Sequence, residues 1–168
     1  MKLYVARHAW AGPSSQDPKT ERNRPLLPEG VATANAIAKA MIAVGEIPKV
    51  IFCSPYARTN QTADILGKAF NLATGNGMRV NVVGDLSPDR PLEPQLLNLM
   101  SNGEVKRAMV VCHVDNTTPG LNNLGGDQKW NDLVMCEVRR VQIDRKSGAW
   151  KLKWGIKPSD IGCKDYIK

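Results

Sequence analysis

Two uninterrupted apolar runs limit the folds that are open to this chain. The Val-Ile-Phe-Cys run at 50–53 and the Ala-Met-Val-Val-Cys run at 108–112 contain no polar residue. Runs of this length and composition are typical of strands buried on both faces, as in a parallel sheet covered by helices. A third short strand is predicted at 2–6, where the chain begins. We therefore expect a buried, mostly parallel sheet at the centre of the protein.

Segments with helical composition alternate with these strands. Helices are predicted at 31–44, 55–70 and 94–100, and a further strand at 79–83. Polar or glycine-rich loops are predicted from His8 to Arg24 and from His113 through Gly126, and two last strands at 133–143 and 149–154, joined by a turn at 146–148. This alternation predicts the α/β class, as a three-layer α/β/α sandwich around a mostly parallel sheet.

Length and charge indicate one globular domain with a basic end. The chain has 168 residues and a formal net charge of +7, so residues 1–168 are expected to form a single domain. From about residue 145 onward there are seven basic and only two acidic residues. A lysine-rich edge strand explains this excess better than a tail that binds an acidic partner, and nucleic-acid binding is not expected. Trp150 and Trp154 are expected to pack from one face of that strand.

Several other classes are disfavoured by composition. Four cysteines without a Cys-x-x-Cys pair predict buried reduced thiols, and two histidines make a zinc site improbable, so neither metal nor cofactor is expected. The spacing between Cys53 and Arg58 is one residue too short for the loop of a cysteine phosphatase. The glycine-rich stretch Leu124–Asp127 lacks the ending of a nucleotide-binding loop. The apolar runs are too short to cross a bilayer, which predicts a soluble, cytoplasmic protein.

The residues with reactive side chains follow the ends of predicted strands. Arg7 and His8 follow the first strand, Ser54 and Arg58 follow the second, and His113 follows the run at 108–112. Ligands of parallel sheets bind at the carboxyl ends of the strands. A nucleophilic histidine with positive donors around it is what phosphoryl transfer requires.

Three motifs carry a resemblance to a known family. Arg7-His8-Ala9 stands where the histidine phosphatase superfamily, also called phosphoglycerate-mutase-like, has Arg-His-Gly. Residues 54–63 match its Ser-Pro-x-x-Arg-x-x-Gln-Thr-Ala block in full, and residues 24–30 resemble the Arg-Pro-Leu-Thr-x-x-Gly segment of its short SixA-type phosphohistidine phosphatases. The resemblance implies a phosphoglycerate-mutase-like fold.

The resemblance also implies roles for individual residues. His8 is the nucleophile, and Arg7, Arg58 and His113 hold the phosphoryl oxygens. We expect His8 to be neutral and His113 to be protonated as a donor. Arg24 either binds the phosphoryl group or pairs with a carboxylate of its loop, and Ser54 shapes the helix entry more than it binds phosphate.

The proton donor to the leaving group is the least defined part of the site. Asp85 lies after the third strand, where many family members place this acid, and Asp115 and Asp17 are alternatives. A good leaving group, such as the imidazole of phosphohistidine, would need no dedicated acid.

The expected function is therefore a metal-independent phosphatase that forms a phosphohistidine at His8. Its substrate would be a phosphorylated protein or a small phosphorylated metabolite. Two alternatives remain open, a phosphoglycerate-type mutase and a module that binds phosphate or phosphoprotein without chemistry. The sequence defines neither the substrate nor the oligomeric state.

Overall fold

The computed structural model describes residues 1–101, 106–124, 130–144 and 150–166. Within them one sheet has the order β3-β2-β4-β1-β5-β6. Its strands are β1 (Lys2–Arg7), β2 (Val50–Cys53), β3 (Arg79–Val82), β4 (Arg107–Cys112), β5 (Val138–Ile143) and β6 (Trp150–Ile156). The first four strands of this order are parallel, while β5 is antiparallel to β1 and β6 to β5. The prediction of a mostly parallel central sheet is confirmed.

Five α-helices are described between these strands. They are α1 (Pro18–Asn23), α2 (Pro28–Ala43), α3 (Ala57–Thr74), α4 (Leu92–Ser101) and α5 (Val114–Leu124). Short 3-10 helices occupy Gly84–Leu86 and Pro158–Ile161. No helix within the described ranges has the length and apolar composition needed to span a bilayer.

Alternate residues of the central strands supply two cores, one on each face of the sheet. Tyr4 of β1 packs into the core that contains α2 and α3, whereas its neighbour Leu3 packs into the core that contains α4 and α5. In β4, Met109 likewise packs into the α2–α3 core and Val110 into the α4–α5 core. Since strand side chains alternate between faces, both faces of an apolar strand must be covered. The predicted three-layer α/β/α sandwich is confirmed.

A loop was predicted after His113, but residues 114–124 form the helix α5, so the prediction is wrong for this segment. Asparagine, glycine and Pro119 argued for a loop. The helix forms because Val114, Thr117 and Leu121, spaced by three or four residues, are buried on one side of it. Burial of this stripe outweighs the poor helix propensity of the segment. Residues 125–129 lie outside the described ranges.

Three further predictions are corrected. The polar loop before Arg24 contains the short helix α1, capped by Asp17, whose carboxylate accepts a hydrogen bond from the Thr20 N–H at 2.7 Å. The strand predicted at 133–143 begins only at Val138, because Cys136 has a φ of 65° that a strand does not tolerate. The strand predicted at 149–154 is β6, and the predicted turn at 146–148 lies outside the described residues.

Trp150 and Trp154 do not pack on one face as predicted. A bulge places Trp154 opposite Arg140 and Leu152 opposite Val141, so one extra residue lies between the two pairs. The extra residue reverses the alternation of β6. Trp150 consequently packs in the α4–α5 core and Trp154 against the α2–α3 core. As predicted, β6 is an edge strand with exposed lysines.

All four cysteines are free thiols, and Cys53, Cys112 and Cys136 are buried as predicted, whereas Cys163 is only partly buried. Gly30 marks the closest packing of α2 on the segment after β1. A Cβ atom at this glycine would lie 2.1 Å from the carbonyl oxygen of Trp10. This contact fixes the backbone that follows His8 against α2.

Candidate active site

The sheet brings together three strand ends that are far apart in sequence. In the order β2-β4-β1 these strands are neighbours, and Ser54, His113 and His8 follow their carboxyl ends. Arg58 lies in the first turn of α3, which begins just after Ser54. The ring centroids of His8 and His113 are 5.4 Å apart. The residues that the sequence grouped as a phosphoryl site therefore meet in space.

His8 is buried and held in one orientation. Its Nδ1 lies 2.8 Å from the carbonyl oxygen of Ala9, so Nδ1 carries the proton. Its Nε2 accepts a hydrogen bond from Nε of Arg58 at 3.2 Å. Burial, together with the charges of Arg58 and Arg7, holds the pKa of His8 well below its usual value, and only the bond to Ala9 opposes this shift. The imidazole is neutral, as predicted, with the Nε2 lone pair facing Arg58.

The backbone beside His8 is braced from α3. The Ala9 N–H donates to the hydroxyl of Thr62 at 3.0 Å, and this hydroxyl donates to the carbonyl oxygen of Arg58 at 2.6 Å. Ala9 is fully buried and has no positive φ, so alanine fits where the family has glycine. Gln61 accepts a hydrogen bond from the Leu26 N–H at 2.8 Å. The matched block on α3 thus ties together the other two motifs.

His113 is neutral, contrary to the expectation from sequence. Its Nδ1 lies 3.3 Å from Nη2 of Arg58, which can only donate. Its Nε2 lies 3.0 Å from Oγ of Ser54 and therefore carries the proton. Burial and the charges of Arg58, Arg24 and Arg7 lower the pKa of His113 to about 3. Ser54 thus orients His113 and is not among the residues that line the pocket.

A cavity of about 430 Å³ opens at this edge of the sheet. It is lined by Arg7, His8, Trp10, Gly12, Pro13, Ser14, Glu21, Arg24, Arg58, His113, Val114, Asp115 and Met135. Arg7 donates from Nη1 to the carbonyl oxygen of Leu133 at 2.7 Å, while its buried Nε has no hydrogen-bond partner among the described residues. A buried donor without a partner is costly, and an oxyanion in this cavity could accept from it.

Sequence reasoning missed Glu21, which enters the cavity from α1. Its Oε1 lies 3.0 Å from Nη2 of Arg58 and 2.8 Å from Nη2 of Arg24. Its Oε2 accepts from Nε of Arg24 at 3.1 Å. Arg24 therefore pairs with a carboxylate of its own loop, one of the two roles left open by the sequence. The three-residue spacing of Glu21 and Arg24 was the available signal for this pair.

Of the three candidate acids, the structure brings only Asp115 to the cavity. Asp115 lies in the first turn of α5. Burial lowers the pKa values of Arg7 and Arg58, and the charge of Asp115 partly opposes this shift. Asp85 is exposed on the 3-10 helix Gly84–Leu86 and does not line the cavity. Asp17 is also outside it and caps α1. The prediction placed Asp85 by sequence position alone, and the structure leaves its side chain out of the cavity lining.

The end of the described chain returns to this side of the protein. The Met135 N–H donates to the carbonyl oxygen of Tyr166 at 2.8 Å, and the Tyr166 ring stacks on Trp10 with centroids 4.7 Å apart. Trp10 lines the cavity, so Tyr166 supports one of its walls. Sequence analysis did not predict this contact, because the two aromatic residues lie far apart in the chain.

Residues 3–79 match the family model of the histidine phosphatase superfamily (branch 1). This region, less than half of the chain, contains His8, Arg58 and the Arg-Pro-Leu segment. The resemblance stated from the sequence is confirmed by this match. No curated protein matches the chain in sequence.

Solved structures with the same fold cover nearly the whole chain. The protein histidine phosphatase SixA complexed with tungstate has a TM-score of 0.79 and 20% identity, over 95% of this chain and 99% of SixA. A putative phosphohistidine phosphatase SixA from Agrobacterium tumefaciens has a TM-score of 0.75 and 22% identity, over 94% and 97% of the two chains. A mycobacterial glucosyl-3-phosphoglycerate phosphatase has a TM-score of 0.68 and 14% identity, over 91% and 97%. These likenesses show the phosphoglycerate-mutase-like fold.

Proposed function

We propose that this protein is a phosphatase that hydrolyses a phosphorylated protein or a small phosphorylated metabolite through a phosphohistidine on His8. The observation that carries the proposal is the state of His8. Its imidazole is neutral, its Nδ1–H is fixed by Ala9, and its Nε2 accepts from Arg58. His8 itself lines the cavity together with three arginines. A buried lone pair surrounded by cationic donors suits attack on an anionic phosphorus centre.

In the first step Nε2 of His8 attacks phosphorus and the bond to the leaving group breaks. Arg58 donates to Nε2 through Nε and must transfer this hydrogen bond to a phosphoryl oxygen as the attack begins. Arg7 would supply its unpartnered Nε, and the planar guanidinium groups suit the developing charge on the equatorial oxygens.

His113 has a role that depends on the bound phosphoryl group. In the cavity it is neutral, with Nδ1 directed at Arg58. A phosphoryl dianion brings two negative charges next to this nitrogen, and opposite charge raises the pKa of an imidazole. We infer that His113 takes up a proton with the substrate and then donates from Nδ1 to a phosphoryl oxygen.

We assign the leaving-group proton to Asp115, in place of Asp85. Of the three candidate acids, Asp115 is the one that lies in the wall of the cavity. In the second step water attacks phosphorus, the P–Nε2 bond breaks, and the water proton returns to the same carboxylate. Inorganic phosphate and neutral His8 are the products.

The structural neighbours support the proposal of phosphatase activity. One structure with this fold is described as the protein histidine phosphatase SixA in complex with tungstate, a tetrahedral oxyanion like phosphate. Another is described as a putative phosphohistidine phosphatase. No group of three or more metal-ligating side chains occurs within the described residues. Metal independence remains a prediction, which phosphate release in the presence of EDTA tests.

The deciding experiment compares the wild type with His8→Ala. Phosphate release is measured with EDTA present, from a protein carrying phosphohistidine and from an aryl phosphate. Loss of the nucleophile should reduce kcat/KM by about a thousandfold or more on both substrates. Wild type quenched in alkaline detergent should also carry a phosphoryl group that is stable in base and labile in acid, and that His8→Ala lacks.

A matched control is Leu72→Ala, since Leu72 is 89% exposed on α3 and lies outside the cavity. It should retain wild-type activity. Release of phosphate by His8→Ala at the wild-type rate would disprove the proposal. Trapping of the phosphoryl group without net phosphate release would favour a mutase, and no release by the wild type would favour a binding module.

A further inference from the structure

The arginine that is best placed to hold a phosphoryl group already holds a carboxylate. Arg58 is almost fully buried, with 5% of its side chain exposed, and Glu21 Oε1 lies 3.0 Å from its Nη2. The carbonyl oxygen of Glu21 accepts from Nη1 of the same guanidinium at 2.8 Å. The backbone carbonyl and the carboxylate of Glu21 thus both bind the Arg58 guanidinium.

All three nitrogens of the Arg58 guanidinium have acceptors within the protein. Nε donates to His8, Nη1 to the Glu21 carbonyl, and Nη2 faces both His113 and the Glu21 carboxylate. A phosphoryl group that binds Arg58 must displace some of these acceptors. The two imidazole nitrogens are neutral, but the carboxylate is an anion that competes for the same donor.

Glu21 has a second partner, Arg24, which can hold its carboxylate when Arg58 binds a phosphoryl group. Arg24 contacts both of its carboxylate oxygens, at 3.1 Å and 2.8 Å. The backbone N–H of Ser15 donates to Oε2 at 2.9 Å. Arg24 is itself fixed, because its Nη1 donates to the carbonyl oxygen of Gly12 at 2.6 Å. The carboxylate can therefore release Arg58 without losing all of its hydrogen bonds.

We propose that Glu21 is a built-in competitor of the phosphoryl group for Arg58 and that it sets the affinity of the cavity for phosphate. Its carboxylate yields Arg58 to an incoming phosphoryl group and returns when phosphate leaves, which promotes product release. Arg24 serves to hold Glu21. The role in product release rests on the proposed phosphatase function, whereas the competition for Arg58 needs only that the cavity binds phosphate.

Charge gives the sign of the effect. The cavity is lined by three arginines and two carboxylates, Glu21 and Asp115, and both of its histidines are neutral. Neutralising Glu21 leaves one more uncompensated positive charge beside the phosphoryl site, at hydrogen-bonding distance from Arg58. Attraction between opposite charges at such distances is strong in a partly buried site. Phosphate should therefore bind more tightly once Glu21 is neutral.

Glu21 is poorly suited to act as the proton donor. Burial raises the pKa of its carboxyl, but the hydrogen bonds from Arg24 and Ser15 and the charges of Arg58 and Arg24 outweigh burial and hold it below its usual value. A carboxylate held by two arginines remains ionised at neutral pH. This state suits a competing anion and not an acid.

The test is calorimetric titration of the wild type, Glu21→Gln and Glu29→Gln with inorganic phosphate at neutral pH. Glutamine keeps the shape of Glu21 but removes its charge, and phosphate should bind about tenfold more tightly or better. Glu29 is an exposed glutamate in the first turn of α2 and lies outside the cavity, so its variant should bind as the wild type does. Product inhibition by phosphate should strengthen in parallel in Glu21→Gln.

Glu21→Ala provides a second variant, and α1 should accept it because none of its residues is buried. Equal or weaker binding of phosphate by both Glu21 variants would overturn the inference, since a residue that only braces Arg58 weakens binding when it is removed. So would the absence of phosphate binding in every variant. Tighter binding by Glu21→Gln without any turnover by the wild type would refute the phosphatase proposal and leave the competitor role intact.

Discussion

The two ends of the parallel strands both have a cavity lined by basic residues, yet they differ in chemistry. At the amino end, Lys49, Arg79 and Arg107 line a cavity of about 520 Å³. At the carboxyl end, Arg7, Arg24 and Arg58 line one of about 430 Å³. The number of basic residues therefore does not separate the two ends, and volume alone would favour the amino end over the end that holds the proposed site.

Burial and mutual hydrogen bonding separate the two ends. Arg7 and Arg58 are at most 4% exposed, and Arg58 bonds both histidines. Lys49 and Arg79 are exposed, and their charges are screened by water. Charges desolvated next to a neutral histidine stabilise a phosphoryl group far more than charges in solvent do.

The largest expected difference between the two ends is in how much kcat/KM falls when an arginine is removed. Arg58→Ala should lower kcat/KM by a factor of about 100 to 1,000, because it removes preorganised donors to the phosphoryl oxygens. Arg79→Ala, the matched variant at the amino end, should change it by less than about twofold. Phosphate release measured on one substrate provides both values. A comparable loss in Arg79→Ala would mean that the amino end contributes to catalysis.

A second comparison, made at the carboxyl end, is between an aspartate in the cavity wall and one outside the cavity. Asp115→Asn should slow an alkyl phosphate about 100-fold, because a poor leaving group needs the proton, and should slow a nitrophenyl phosphate only a few-fold. Asp85→Asn, outside the cavity, should slow neither. The Asp115 assignment fails if Asp85→Asn is the variant whose loss depends on the leaving group.

Burial of neutral His113 should make stability depend on pH. Its pKa is about 3 in the folded protein. In the unfolded chain it is near 6.5, so between these values only the unfolded chain binds the proton and stability falls as pH decreases. From pH 6.5 to pH 5 this contribution is about 2 kcal/mol. Urea denaturation at both pH values measures how much free energy of unfolding each protein loses on acidification. The loss in His113→Asn should be smaller than that in the wild type by this amount. Equal losses in the two proteins would mean that His113 is not buried in its neutral form.

The smallest effect is expected for the isolated charges of the amino end. Lys49 is exposed and has no hydrogen bond from its side chain among those described, so Lys49→Gln should change the free energy of unfolding by less than about 0.5 kcal/mol. Urea denaturation at neutral pH measures it. A larger loss would show that the amino-end cavity has a structural role that exposure alone does not reveal.

The strands were predicted well because their signal is local. An uninterrupted apolar run as short and β-branched as 108–112 favours a strand that is covered on both faces. The helix α5 was missed because its signal is not local. Its asparagine, glycine and proline content indicates a loop, and only the burial of Leu121 and Thr117 against the sheet favours a helix. The bulge in β6 was likewise invisible, since it arises from pairing with β5.

The sequence by itself determined that His8, Arg58 and His113 would meet. Each follows a parallel strand, and the carboxyl ends of neighbouring parallel strands must lie at one edge of the sheet. The tertiary structure decided which groups surround them. It replaced Asp85 with Asp115 in the cavity wall, placed Glu21 on Arg58 across 37 residues of sequence, and made His113 neutral. Protonation and pairing depend on burial and on the distances between charges, which motif spacing does not contain.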